Sequence, residues 1–178
     1  MKNAFAFSAL VASAFAQDYF GVMSARSGSN IHLLPLNAIG GKFFLGGSPS
    51  SYCPPEVGTA CPPGTSTVLA GGVGTLSLGV IVPGGQQVYI APDGTMSYTA
   101  PHSAYKPEGS VVDGWSRSPV NDQFGYLTFS GGLVACPVDA NNKPWQVYGQ
   151  IASVTLSPQC LGFSALTING TEAGAWEY

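Results

Sequence analysis

Apolar and polar side chains alternate with a period of two along most of this chain, which is the pattern of strands that bury one face. The segments that show it are 19–25, 31–36, 42–45, 75–82, 87–91, 95–99, 111–116, 126–129, 133–136, 145–152, 154–156 and 163–168. About a dozen short strands between turns predict an all-β protein. We expect a single-domain β-sandwich of two sheets, with a β-trefoil or a small β-barrel as alternatives. The chain shows no threefold repeat, which disfavours the trefoil.

Turn-forming residues predict how these segments are joined. Pro92-Asp93-Gly94 predicts a hairpin, because its proline presets φ and its glycine accepts a positive φ. Ser130-Gly131-Gly132 predicts a second hairpin between the segments on either side of it. Residues 46–74 are poor in apolar side chains and rich in Gly, Pro, Ser and Thr, which predicts a long surface loop. Within it, the glycine-rich run 71–74 predicts a flexible turn.

The beginning of the chain has the features of a secretory signal peptide. A lysine precedes an apolar run too short to span a bilayer, and Ala14-Phe15-Ala16 is an A-x-A cleavage signal. We therefore expect a signal peptide at 1–16 and one secreted β domain at 17–178. Glu172 and Glu177 stand where a lipid-anchor signal needs an apolar tail, so we expect no membrane anchor.

Export from the cytosol predicts disulfides between the four cysteines and N-glycosylation at one sequon. An even number of cysteines in an oxidising compartment predicts disulfides, and three pairings are open. We favour Cys53 with Cys61 and Cys136 with Cys160, because each partner is the nearest in sequence and the first pair encloses a proline-rich loop. In the chain-entropy model these two bridges contribute about 2.6 and about 3.5 kcal/mol. Asn169-Gly170-Thr171 satisfies the N-x-[ST] rule and predicts glycosylation at Asn169.

Charge excludes one large class of partner. Charged residues make up 8% of the chain, against about 25% in ordinary domains. Six basic and nine acidic residues give a net charge of −3, which cannot form the basic surface that binds a phosphate backbone. We therefore expect no nucleic-acid partner. Few lysines also leave edge strands without the charges that discourage strand pairing, so we expect self-association.

The sequence shows no catalytic constellation. A serine hydrolase needs a histidine base, and the chain has only His32 and His102, with no G-x-S-x-G motif. We interpret both histidines as structural or surface residues. Glycoside hydrolysis needs two carboxylates across a cleft. The nearest candidates are Glu108 and Asp113, which flank the segment that carries Trp115, and we do not assign them a catalytic role.

Metal and cofactor motifs are missing from the sequence as well. There is no C-x-x-C pair, no H-E-x-x-H and no phosphate-binding glycine loop ending in Lys-Ser or Lys-Thr. Gln17 would be the first mature residue, where an oxidative copper enzyme acting on polysaccharide needs a histidine. We expect no enzyme activity, no metal and no cofactor.

Aromatic residues make up 11% of the chain and suggest a binding role. A flat ring can stack on a sugar, and low surface charge suits neutral glucan or chitin. Trp115 and Trp145 lie on predicted strands, where core packing is the ordinary explanation. Trp176, Tyr52 and Tyr105 lie in predicted loop or terminal segments and are our candidates for carbohydrate contact.

The order of several short motifs resembles the small secreted cell-wall proteins of filamentous fungi of the PhiA-like family. The motifs are Tyr19-Phe20-Gly21, Ser27-Gly28-Ser29, Gly114-Trp115-Ser116, Tyr126-Leu127-Thr128-Phe129, Leu133-Val134-Ala135-Cys136-Pro137, Trp145-Gln146-Val147-Tyr148 and Cys160-Leu161-Gly162. They cover about a third of residues 17–178. The Cys53 to Cys61 loop departs from the pattern, so no role for that loop is inherited.

The resemblance implies a fungal secreted or wall-localised protein, associated with phialide and conidium development and, in some members, with IgE recognition. It implies no catalytic residues. We therefore expect a non-enzymatic structural protein of the fungal cell wall or conidial surface, with wall polysaccharide or other wall proteins as partners. The alternatives are a secreted lectin or glycoside hydrolase with a site that the sequence does not reveal, or a secreted effector.

Overall fold

The computed structural model describes residues 18–139 and 144–178, which hold twelve strands and one 3-10 turn at Gly58–Ala60. The strands are β1 (Tyr19–Ala25), β2 (Leu36–Ile39), β3 (Lys42–Leu45), β4 (Leu69–Leu78), β5 (Val88–Ile90), β6 (Met96–Tyr98), β7 (Trp115–Pro119), β8 (Phe124–Phe129), β9 (Leu133–Pro137), β10 (Trp145–Gly149), β11 (Leu161–Gly162) and β12 (Ser164–Gly170). The predicted all-β class is confirmed. The predicted signal peptide lies outside the described residues. Within the described ranges, no helix has the length and apolar character needed to cross a membrane.

The strands form two sheets. Five of them, in the order β1-β12-β8-β7-β4, close into a barrel. The other seven form an open sheet in the order β11-β9-β10-β3-β6-β5, with β2 paired to β3 beside this path. β1 and β12 pair antiparallel over their whole length, from Tyr19 opposite Gly170 to Ala25 opposite Ser164. The protein is thus a two-sheet domain in which one sheet is itself a small barrel.

Alternating side chains fill the barrel, as the period of two predicts. β1 buries Phe20 and Val22, and β8 buries Leu127 and Phe129. The Trp115 ring of β7 is 2% exposed and lies 5.0 Å from the Phe129 ring. Full burial of each such apolar side chain stabilises a fold by about 1.5–3 kcal/mol. Trp115 is therefore a core residue, as its strand position predicts.

The open sheet contributes the other half of one continuous hydrophobic core. Phe43 of β3 and Tyr98 of β6 meet edge to face with centroids 5.3 Å apart. Ile90, Val147 and Trp145 are also buried. Trp145, like Trp115, packs inside, as its position on a predicted strand indicates.

The prediction of a long loop over 46–74 is wrong at its end, because β4 begins at Leu69. The glycine-rich run 71–74, predicted as a flexible turn, lies within β4 and closes the barrel. β4 pairs with β1 at Leu69 and Ala70, and then with β7 at Val73 and Gly74. Gly71, Gly72 and Gly74 have φ of +95°, +92° and +80°, which lets the strand bend between its two partners.

Only one of the two predicted hairpins forms. β5 and β6 pair through Pro92-Asp93-Gly94, with Gly94 at φ +85° and the Asp93 carboxylate accepting a hydrogen bond from Thr95 N–H at 3.0 Å. The hairpin predicted at 130–132 is wrong, because β8 pairs with β7 and β12 whereas β9 pairs with β10 and β11. This turn carries the chain from the barrel to the open sheet. A Cβ at Gly131 would lie 1.7 Å from the Gln150 carbonyl oxygen, so the crossing requires glycine.

Two other predicted strands are wrong. Residues 31–33 form turns, in which His32 N–H donates to Ser29 O at 3.0 Å and Leu33 N–H donates to Ser24 O at 2.8 Å. The strand in this region, β2, begins at Leu36. Residues 154–156 are not in a strand either, since β10 ends at Gly149. In both places local backbone hydrogen bonds replace sheet pairing.

Two disulfides and the C-terminal segment fasten the chain. Cys53 bonds to Cys61 and Cys136 to Cys160, which is the local pairing that the sequence favours. The C-terminal segment 174–178 runs between the first disulfide loop and the end of β4. On one side Tyr52 N–H donates to Glu177 O at 3.0 Å, and on the other Gly174 N–H donates to Gly79 O at 2.9 Å. The C-terminal segment therefore holds the proline-rich loop against the sheet.

Candidate functional site

A groove with a volume of about 710 Å³ lies between the turn that connects β4 to β5 and the loop that follows β6. We call it the Gln87 groove; its lining residues are Ser77, Pro83, Gly84, Gly85, Gln86, Gln87, Thr99, His102, Ser103 and Ala104. The lining contains no carboxylate, lysine or arginine, and it consists largely of amides, hydroxyls and backbone. This composition suits a neutral, hydroxyl-rich ligand.

The floor of the groove is fixed by Gln86, whose side chain is 1% exposed. Its Nε2 donates to Thr99 O at 3.0 Å and to Tyr178 O at 2.8 Å, while its Oε1 accepts from Tyr178 N–H at 2.8 Å. A buried amide is stable only when its donors and acceptors are paired, and here they are. Gln86 thus ties the floor to the C-terminal residue.

The facing wall is the loop 100–106. Ser103 N–H donates to Ala100 O at 3.2 Å, and Tyr105 N–H donates to Ser103 Oγ at 3.1 Å. Lys106 Nζ donates to Gln87 Oε1 at 2.9 Å and to Ala104 O at 3.1 Å, which clamps the loop to the opposite wall. These bonds hold the loop in one shape, with the spacing across the groove set by the Lys106 clamp.

His102 sits on this wall with φ +57°, a left-handed conformation that is uncommon outside glycine. It is exposed at the groove. His102 is a surface residue in a loop, in agreement with its interpretation from the sequence, and it lines the groove. His32 lies elsewhere and accepts a hydrogen bond at Nδ1 from Arg26 N–H at 3.2 Å.

Two of the candidate aromatic residues, Trp176 and Tyr105, lie next to the groove along the backbone but are not among its lining residues. The Trp176 carbonyl accepts hydrogen bonds from Ile81 N–H at 3.2 Å and Val82 N–H at 3.0 Å, directly before the wall begins at Pro83. Tyr105 follows Ala104 of the other wall and is 77% exposed. Tyr52 is 55% exposed and its backbone pairs with Glu177, next to Trp176. Tyr52 and Trp176 therefore belong to backbone segments that pair next to one wall, and Tyr105 directly follows the other wall in sequence.

The C-terminal residue packs behind the groove. Burial raises the pKa of the Tyr178 phenol to about 12, although a hydrogen bond from Val68 N–H at 3.3 Å opposes the shift. The phenol donates to Ser66 O at 2.5 Å. Tyr178 is thus a neutral structural anchor at physiological pH.

The carboxylate pair considered from the sequence does not face an accessible ring. Glu108 and Asp113 are both exposed, but Trp115 beside them is buried in the barrel and cannot stack on a sugar. Among the described residues, no group of three or more His, Cys, Asp or Glu side chains is placed to hold a metal ion. Asn169 lies at the open end of the barrel, outside the Gln87 groove.

Sequence reasoning did not identify Gln86, Gln87 or Lys106 as parts of a site. The one available signal was a pair of glutamines at the start of a buried strand, where a strictly apolar core would have none. Lys106 gave no signal, because its partner is distant in sequence and is reached only by folding.

Fold and site define a class of compact, disulfide-bonded all-β proteins with a groove whose lining is uncharged. The family model described as "PhiA-like secreted protein" matches residues 20–178. The chain belongs to this family, so the resemblance seen in the order of its motifs is confirmed. An uncharacterized secreted protein of the fungus Arthroderma benhamiae is 40% identical over 159 residues, which cover 84% of this chain and 80% of that protein. No solved structure matches the chain.

Family membership also establishes where the protein acts. The family is one of secreted proteins, as is the Arthroderma benhamiae relative. Both cysteine pairs are oxidised, as expected outside the cytosol. The protein is secreted.

Proposed function

We propose that this protein is a non-enzymatic structural protein of the fungal cell wall or conidial surface that holds neutral polysaccharide, glucan or chitin, in the Gln87 groove. The observation that carries the proposal is the uncharged amide and hydroxyl lining of the groove. Tyr105 directly follows the lining residue Ala104, and the Trp176 backbone bonds to Val82, directly before the lining residue Pro83. The role in phialide and conidium development and the IgE recognition implied by the family resemblance belong to the same proposal.

Each part of the groove has a use in binding a sugar chain. Sugar hydroxyls both donate and accept hydrogen bonds, and Ser77, Ser103 and His102 present groups that do the same. The exposed ring of Tyr105 and the half-buried ring of Trp176 supply apolar surface on which a sugar can stack. No charged side chain is among the lining residues, and the Lys106 ammonium beside them is bonded to Gln87 Oε1, so we expect binding to depend little on salt, unlike binding at a site that depends on ion pairs.

Rigidity supports the structural role. A polymer bound to a preformed groove costs less ordering entropy than one that must first shape its site. The Lys106 clamp and the Gln86 floor preform this groove, and the Cys53–Cys61 bridge stabilises the loop beside Tyr52.

Co-sedimentation with insoluble glucan and chitin tests the proposal. We expect the secreted protein to be retained on at least one polymer, and Tyr105→Ala and Trp176→Ala to weaken retention about tenfold each, the equivalent of about 1.4 kcal/mol. Tyr126→Ala is the matched control, because Tyr126 is 39% exposed but lies on the barrel strand β8. Equal retention of all three variants would contradict polysaccharide binding in the groove. Recovery of the protein from the culture medium alone, with none in the wall fraction, would contradict a role in the wall.

The same preparations separate this proposal from its alternatives. Release of soluble sugar during the incubation would indicate a glycoside hydrolase, and Glu108→Gln and Asp113→Asn would then be the first variants to examine. Binding to short oligosaccharides on a glycan array without wall retention would indicate a lectin.

A further inference from the structure

A second cavity, of about 520 Å³, lies at the open end of the barrel, away from the Gln87 groove. All three residues of the sequon, Asn169, Gly170 and Thr171, line it. Tyr19, Val73 and Arg117 line it as well. The only sequon in the chain therefore opens directly into a cavity.

Strand register directs the Asn169 side chain toward the barrel mouth. Asn169 lies opposite Phe20 in the β1–β12 ladder, and paired residues point to the same side of a sheet. Phe20 is fully buried in the barrel. Asn169 Oδ1 accepts a hydrogen bond from Arg117 Nη2, and its Nδ2 donates to Asp122 O at 2.7 Å. That bond uses one of the two Nδ2 hydrogens, so the amide has a hydrogen to exchange for a sugar.

Arg117 gives the mouth a donor-rich wall. Its guanidinium lies over the Phe20 ring, 4.3 Å from the centroid, and its Nε is buried without a partner among the described residues. A guanidinium has five N–H donors, and the Asn169 bond uses one. Donors therefore remain for a ligand in the cavity.

The remaining lining selects the chemistry of that ligand. The side chains of Asp18 and Asp122 also lie on the cavity wall and supply acceptors. They would repel an anion, and Arg117 would repel a cation, whereas neutral sugar hydroxyls satisfy both kinds of group. Val73 is 91% exposed and offers an apolar surface to an acetamido methyl group.

We propose that Asn169 carries an N-linked glycan whose first N-acetylglucosamine docks into the barrel mouth against Arg117. The glycan is then a structural plug for the open end of the barrel, not only a solubilising surface group. If the glycan is attached before the chain folds, the folded state must leave room for the first sugar beside Asn169, and the open cavity provides that room. This site is independent of the polysaccharide groove.

The test compares melting temperatures of Thr171→Ala and Thr171→Ser made in a glycosylating eukaryotic host. Thr171→Ser keeps the sequon, and Thr171→Ala removes it while leaving Asn169, Arg117 and their hydrogen bond intact. We expect Thr171→Ala to melt about 2–5 °C lower. Trimming the glycan to its first sugar with an endoglycosidase should leave the higher melting temperature unchanged.

Two controls test whether the difference in melting temperature comes from docking of the first sugar against Arg117. The same Thr171 pair made in a bacterial periplasm, without glycans, should melt at one temperature. In an Arg117→Met background, which keeps the sequon, the difference between the Thr171 variants should disappear, and Arg117→Lys should restore part of it. An intact mass with no glycan on Asn169 would overturn the proposal. So would a glycosylated Asn169 with equal melting temperatures for the two Thr171 variants, or a difference that persists without Arg117.

Discussion

At the scale of single residues, a few buried polar groups decide how this protein is held together. Few charged residues are available to form ion pairs in this chain, and the hydrogen bonds between Gln86 and Tyr178 connect distant segments instead. Gln86 makes three hydrogen bonds within a site that is 1% exposed, and two of them go to Tyr178. Loss of either partner would leave buried donors or acceptors unpaired, at about 1–3 kcal/mol for each group.

Tyr178 makes stability sensitive to alkali. Its pKa is about 12 in the folded protein, above the value near 10 of an exposed phenol. The native state therefore keeps its proton where the unfolded chain has lost it, and the contribution to stability is complete below pH 10 and disappears as pH rises to 12. We expect the free energy of unfolding to fall by about 1–3 kcal/mol over this range.

Urea denaturation at pH 9 and pH 11.5 measures this dependence. Tyr178→Phe should be less stable at pH 9, because the bond to Ser66 O is lost, but should show a smaller decline between the two pH values. Tyr105→Phe is the control, since Tyr105 is exposed. An equally steep decline in Tyr178→Phe and the native protein would exclude Tyr178 as the cause.

At the scale of elements, β4 joins the two halves of the barrel by bending at its glycines. Its first residues pair with β1 and its middle with β7, and a strand without glycine could not turn between them. Of the glycines in β4, Gly72 has the least room for a side chain, because a Cβ there would lie 2.8 Å from Arg117 Cβ. Gly74 has a similar φ but open space around it.

Alanine substitutions at these two glycines separate backbone strain from steric conflict. We expect Gly74→Ala to cost about 1–2 kcal/mol from its positive φ alone. Gly72→Ala should cost about 2–4 kcal/mol, because overpacking against Arg117 is added to the same strain. Chemical denaturation of both variants measures the difference. If Gly74→Ala were the more destabilising of the two, barrel closure at Gly72 would be wrong.

The strands and turns were predictable where the local sequence pattern determines the backbone conformation. They were not predictable where contacts with residues far away in sequence determine it. β1 and β3 were predicted with their observed bounds, since alternation within each segment suffices. The turn at Pro92 to Gly94 was predictable from φ preferences. The glycine run in β4 and the crossing at Gly131 were misread, because each conformation is imposed by a neighbour far away in sequence, Arg117 in one case and Gln150 in the other.

The same distinction applies to the candidate site. Exposed aromatics in loops were predictable, and Tyr105 and Tyr52 are exposed as expected. Their relation to a groove was not, because its walls come from turns joined by Lys106 and Gln87. The predicted glycan acceptor Asn169 was placed by motif, but its direction toward the barrel mouth follows only from register.

At the scale of the whole molecule, two sheets share one core and leave few free edges. β11 has two residues, and the edge strand β5 is covered where Ile90 exchanges hydrogen bonds of 2.8 Å with Val111. Short or covered edges limit strand pairing between copies. Self-association stays a prediction, and light scattering over a range of concentrations measures it.

The whole molecule thus presents two separate cavities, the Gln87 groove and the cavity at the barrel mouth that the Asn169 sequon lines. The groove is the surface that we propose binds polysaccharide. NMR titration of the ¹⁵N-labelled protein with soluble glucan and chitin oligosaccharides tests it most directly. Amide shifts concentrated at Gln87, Ser103 and Tyr105, unchanged by added salt, are the predicted result. Shifts confined to the barrel, or none with either sugar, would contradict it.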